Sequence, residues 1–136
     1  MARIGSKKSL VAKLGIKEGQ RIRIINAPLK YDTQLGRLPK NVVEVSGNES
    51  DLDFVQLFTS SEEELKKEFP KLMRTLKKEG IIWISYPRTS SKIESDLCGV
   101  MVREVGTGNG MAEVKISSLD EDWAGIKFVN KKKDLD

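Results

Sequence analysis

The sequence predicts a three-layer α/β domain built on a mostly parallel six-stranded sheet that closes in an antiparallel hairpin. Three observations lead there. Short apolar segments alternate with helical ones along most of the 136 residues. Two of those segments, 52–58 and 81–85, are apolar almost without interruption, as strands buried on both faces must be. The last two strand-like segments, Ala112–Ser118 and Trp123–Asn130, are joined by the tight acidic link Leu119-Asp120-Glu121-Asp122, which reads as a hairpin turn.

The elements follow in order. Leu10, Val11 and Leu14 make a short amphipathic helix that Gly15 stops. Arg21 to Asn26 is a strand. Pro28 suits the first turn of a helix that runs to Leu35 and closes at Gly36, with Asn26 or Ala27 as cap. Asn41 to Val45 is a second strand, and Leu52 to Phe58 a third. Ser61 and Glu64 form a capping box that opens the strongest helix. Its face is Leu65, Phe69, Leu72, Met73 and Leu76 at a 3.6-residue period, with Lys77, Lys78 and Gly80 at its end. Pro70 inside it is expected to kink or restart the helix. Ile81 to Ser85 is the fourth strand. A second box, Ser91 with Glu94, predicts a helix with the stripe Ile93, Leu97, Val100, Met101 and Val105.

Composition narrows the function. The chain has no histidine, which excludes His-ligated metals and Ser-His-Asp or Cys-His nucleophiles. Its single cysteine, Cys98, forms no internal disulfide and suits a reducing compartment. The net charge of +4 resides in the ends: residues 1–8 and 131–136 are basic tails, expected to be solvated, and residues 9–130 sum to zero. With few aromatics and no basic face visible, neither nucleic acid nor membrane is an expected partner. The start, Met-Ala-Arg-Ile-Gly, has no apolar leader, so a single cytoplasmic domain over 1–136 is the expectation.

The stretch from Asp51 to Pro87 is similar to the second half of a class I methyltransferase. Asp53-Phe54-Val55 opens a strand, a capped helix ends Leu76-Lys77-Lys78-Glu79-Gly80, and Ile81-Ile82-Trp83-Ile84-Ser85 follows. The closing hairpin fits the same fold. Most of residues 9–130 resembles a family of small bacterial proteins of unknown function that share this reduced, Rossmann-like fold. That resemblance rests on Leu14-Gly15-Ile16-Lys17 with Gly19, on Asn26-Ala27-Pro28, on Pro87 to Leu97, and on Trp123-Ala124-Gly125-Ile126-Lys127-Phe128. It implies a methyltransferase-like strand order. It implies activity only weakly, because fold does not fix function.

Enzymes of that fold that use S-adenosylmethionine place a Gly-rich turn after the first strand and an acid at the end of the second. Here the turn is Asn26-Ala27-Pro28-Leu29, and the second strand ends Val45-Ser46-Gly47, with Glu44 inside it. Both marks are missing or displaced. The expectation is therefore no cofactor, with S-adenosylmethionine disfavoured, and a noncatalytic binding or regulatory module. A divergent methyltransferase is the alternative. The expected ligand is a small anion, or else a protein partner. An anion would sit at the carboxyl edge of the sheet between the Asn26 turn and the Arg88 loop. Asn26, Pro28, Tyr31, Tyr86, Arg88, Ser90, Ser91 and Lys92 would line it, helped by the N–H groups of a helix starting near Lys92. Gly106 to Gly110 reads as a flexible helix end, since it precedes a strand rather than following one. Asp120 to Asp122 reads as a solvated turn, Asp96 as a first-turn acid, Cys98 as a core residue and Trp123 as an anchor.

Overall fold

In this computed structural model residues 9–47 and 49–131 are described. The tails at 1–8 and 132–136 lie outside them. The elements are α1 (Leu10–Leu14), β1 (Arg21–Ile25), α2 (Tyr31–Leu35), β2 (Val43–Glu44), β3 (Leu52–Phe58), α3 (Glu62–Thr75), β4 (Leu76–Pro87), α4 (Gly99–Gly108), β5 (Met111–Ser118) and β6 (Trp123–Asn130). They form one mixed sheet in the order β2-β1-β3-β4-β6-β5. The first four strands are mutually parallel, and β6 is antiparallel to both β4 and β5. This is the α/β, Rossmann-like arrangement that the alternation of segments predicts, in the methyltransferase-like strand order that the resemblance implies.

Two apolar clusters cover the sheet. On one face Val11, Leu14, Tyr31 and Leu35 of α1 and α2 pack on Ile22, Phe54, Phe58 and Trp83. The Trp83 Nε1 donates to the Leu14 carbonyl at 2.7 Å, which fixes α1 to β4. On the other face Leu65, Phe69 and Leu72 of α3 and Val102 and Val105 of α4 pack on Val55, Leu57, Ile82, Ile84 and Phe128. Gly106 is a close approach, not a flexible end. A Cβ there would lie 2.1 Å from the Phe128 ring, so only hydrogen lets α4 reach β6.

Several boundaries differ from expectation. Helix α2 starts at Tyr31, because Pro28 sits in a preceding turn whose carbonyl accepts from the Tyr31 N–H at 3.1 Å. Strand β2 shrinks to Val43–Glu44, with Asn41 in a left-handed conformation just before it. Helix α3 runs through Pro70 without restarting, held by the buried Phe69 and Leu72 on either side, and stops at Thr75. The chain then enters β4 directly at Leu76, which pairs with Leu52.

The largest departure concerns residues 88–98. No helix starts at Ser91. Its Oγ accepts from the Ile93 N–H at 3.1 Å and donates to Asp122 at 3.0 Å, closing a local turn and tying it to the hairpin. Helix α4 begins only at Gly99, so the unpaired N–H groups expected near Lys92 are absent. Its buried stripe is Val102, Val105 and Gly106, while Val100 and Ile93 are exposed. Asp96 sits in the loop, where it accepts from the Glu62 N–H at 2.7 Å and so caps α3. Cys98 is the half-buried N-cap of α4.

Candidate functional site

In an open parallel sheet the ligand crevice lies beyond the carboxyl ends of the strands where chain order reverses. Here β1 connects outward to β2, while its other neighbour β3 connects onward to β4. The reversal therefore falls between β1 and β3. Asn26 follows β1 there, and Thr59 follows β3.

The turn after β1 has no glycine, yet it has a glycine-like backbone. Asn26 has φ +61° and Lys30 has φ +66°. Asn tolerates this left-handed region; for Lys it costs roughly 1–2 kcal/mol. Such conformations persist where surrounding structure imposes them, often at ligand sites. The side chain of Asn26 donates to the Glu64 carboxylate at 3.4 Å, and the buried Thr59 hydroxyl donates to the other oxygen of the same group. Ser61 caps α3 by accepting from the Glu64 N–H at 3.1 Å. The second half of a capping box would send Glu64 back to the cap N–H. Instead its carboxylate joins the ends of β1 and β3.

Beside this junction lies an open groove of about 560 Å³ lined by Arg23, Ile24, Ile25, Asn26, Glu44, Val45, Ser46 and Gly47. Because β2 is so short, Glu44 is its last residue, exposed at the carboxyl end. The acid that seemed displaced in the sequence thus stands at the end of the second strand. Sequence reading missed it by assigning Val45 to the strand. The αL conformation at Asn41 had one available signal, an Asn placed where a strand was drawn.

The other expected residues do not gather into one cluster. Asn26 is exposed and lines this groove, whereas Pro28 is half-buried and does not. Tyr31 is buried on the α1–α2 face. Its hydroxyl donates to Gln56 at 2.8 Å, Gln56 donates to Ser85, and its ring meets Phe58 edge-on. Tyr86 lies on the opposite face, in the α3–α4 core, with Gly99 against its hydroxyl. The two tyrosines therefore do not share an edge. Burial pushes both phenols above their ordinary range. Arg88 donates from its guanidinium to the Asp120 carbonyl at 3.0 Å, and its N–H bonds to the Asp122 carbonyl. Ser90 and Lys92 are exposed. Asp120 works as a turn former: its carboxylate accepts from the Asp122 and Trp123 N–H groups, both at 2.8 Å.

The fold is that of class I methyltransferases, as solved structures show. A SAM-dependent methyltransferase from Aquifex aeolicus aligns with TM-score 0.57 and 16% identity over 88% of this chain and 86% of that one. A TehB-like SAM-dependent methyltransferase from Corynebacterium glutamicum aligns with TM-score 0.59 and 13% identity, covering 90% and 85%. Fibrillarin from Aeropyrum pernix, solved with natively bound S-adenosyl-L-methionine, aligns with TM-score 0.59 and 13% identity, covering 88% and 73%. No protein-family model and no curated protein sequence matches the chain. The structural neighbours overturn the expectation of a noncatalytic module, and with it the expectation of no cofactor. Among the described residues no helix is long and apolar enough to cross a membrane.

Proposed function

We propose that the chain is a divergent S-adenosylmethionine-dependent methyltransferase of the cytoplasm, with its cofactor site in the groove at the carboxyl ends of β1 and β2. The observation that carries this reading is that Asn26, in a left-handed conformation after β1, and Glu44, at the end of β2, line the same groove. The residues present fit the cofactor. A groove of about 560 Å³ is within the range of small-molecule sites. Asn26 takes after β1 the left-handed conformation that glycine most readily adopts, and it lines the groove. Glu44 supplies the carboxylate that ribose hydroxyls need as acceptor.

When bound, the cofactor supplies a methyl group carried on a sulfonium. The residues of this chain position the partners. Glu64 keeps Asn26 and Thr59 in register, which holds the β1 turn against the end of β3. Methyl transfer needs orientation more than acid–base chemistry, so the lack of histidine is no obstacle.

Calorimetric titration tests the reading. S-adenosylmethionine and its demethylated product are expected to bind with micromolar dissociation constants. Glu44→Ala is expected to weaken both at least tenfold with little effect on melting, since Glu44 is exposed. Absence of heat at millimolar ligand would sink the proposal.

A further inference from the structure

Residues 9–130 sum to zero charge, but a count along the chain does not see faces. On the face bearing α1 and α2, helices cover β1, β3 and β4, and the outer strands β6 and β5 project beyond them. In register there, Lys115 stands directly opposite Lys127. Lys127 pairs with Trp83 of β4, whose side chain is buried under α1, so both lysines are on the α1 side of the sheet. Like charges opposite one another destabilise a sheet pair. Lys127 is half-buried against Gly15 at the end of α1, with Lys17 nearby. Lys13 of α1 reaches the end of β5, donating to the Ser118 carbonyl at 3.2 Å. No ion pair among the described residues uses any of these four lysines. Burial and the charges of Lys115 and Lys17 push the Lys127 amine down, as an uncompensated cluster requires.

By strand alternation Ala112, Ser117 and Gly125 share this face, together with Trp123 and Val129, which flank Gly125 and Lys127 on β6. The two chain ends attach to the same elements. Arg3, Lys7 and Lys8 precede α1, and Lys131 to Lys133 follow β6.

We propose that the α1–β6–β5 face docks the phosphate backbone of a nucleic acid. Several lysines without an ion-pair partner, set on two strands and a helix of one face, suit repeated phosphates, which lysine contacts as a point charge.

The test is fluorescence anisotropy of the full chain with a labelled DNA duplex between 50 and 200 mM KCl. Binding should weaken steeply with salt, with a log–log slope near −3.6 for four phosphate contacts. Lys115→Ser with Lys127→Ser should weaken binding at least tenfold at low salt and reduce the slope by about 2. Lys67→Ser with Lys78→Ser, removing the same charge at two exposed positions elsewhere, should leave the slope unchanged. Circular dichroism melting should show the first variant as stable as the parent or more so, since a repulsion is removed. Three results would each overturn the proposal: no binding at 50 mM salt, equal losses in the two variants, or binding to phosphatidylserine vesicles without binding to the duplex.

Discussion

Single residues decide how the carboxyl edge is built, and Arg88 is the clearest case. Its sequence position suggests a free cation, but its guanidinium bonds a backbone carbonyl of the β5–β6 turn while Lys92 is exposed. Arg88→Ala is therefore expected to cost about 1–2 kcal/mol in urea denaturation, and Lys92→Ala close to nothing. Equal effects would mean that the Asp120 contact contributes nothing to folding. The two tyrosines make a second prediction. Both are held protonated by burial, above the ordinary phenol value near 10. The native state then keeps protons that the unfolded chain releases at alkaline pH, so stability is full below about pH 10 and falls as pH rises beyond it. Tyr86→Phe should flatten that decline in denaturation midpoints measured from pH 8 to 11.

At the scale of elements, local pattern and tertiary demand can be separated. Strands β3 and β4 and helix α3 were legible because their signals are local: continuous apolar runs, and a 3.6-residue stripe opened by Ser61. That cap is a real one, and Ser61→Ala is expected to cost about 1 kcal/mol by thermal melting. A loss below a few tenths would mean that Asp96, which accepts from the Glu62 N–H of the same turn, substitutes for it. The box at Ser91 and Glu94 shows the opposite outcome. It has the same spacing, yet Ser91 and Arg88 are taken by the hairpin and Ser95 and Asp96 by the start of α3. Those partners are about thirty residues away in sequence, so no local reading detects them. The same reason hid Glu44. Whether it ends a strand or lies within one depends on where β2 leaves β1, one residue either way.

For the whole molecule the sheet order places the ligand crevice, and the short link after β2 shapes it. The loop from Val45 to Asp51 leads straight from β2 to β3, so β2 is an edge strand and the outer wall of its groove is open. A ligand held there rests on two backbone turns rather than in an enclosed pocket. Its footprint should therefore be local and predictable. Hydrogen exchange with saturating S-adenosylmethionine is expected to slow at 26–30 and 44–47 and to leave 88–92 unchanged, because that loop is already fastened to the hairpin. At a hundredfold excess over the dissociation constant, global stability should rise by about 2.7 kcal/mol. For a chain of 136 residues that corresponds to a melting shift of roughly 10 °C. Protection concentrated at 88–92 instead would move the ligand to the far side of β3, toward the loop and the acidic turn. The Asn26–Glu44 groove would then be a surface feature of a shortened sheet rather than its binding site.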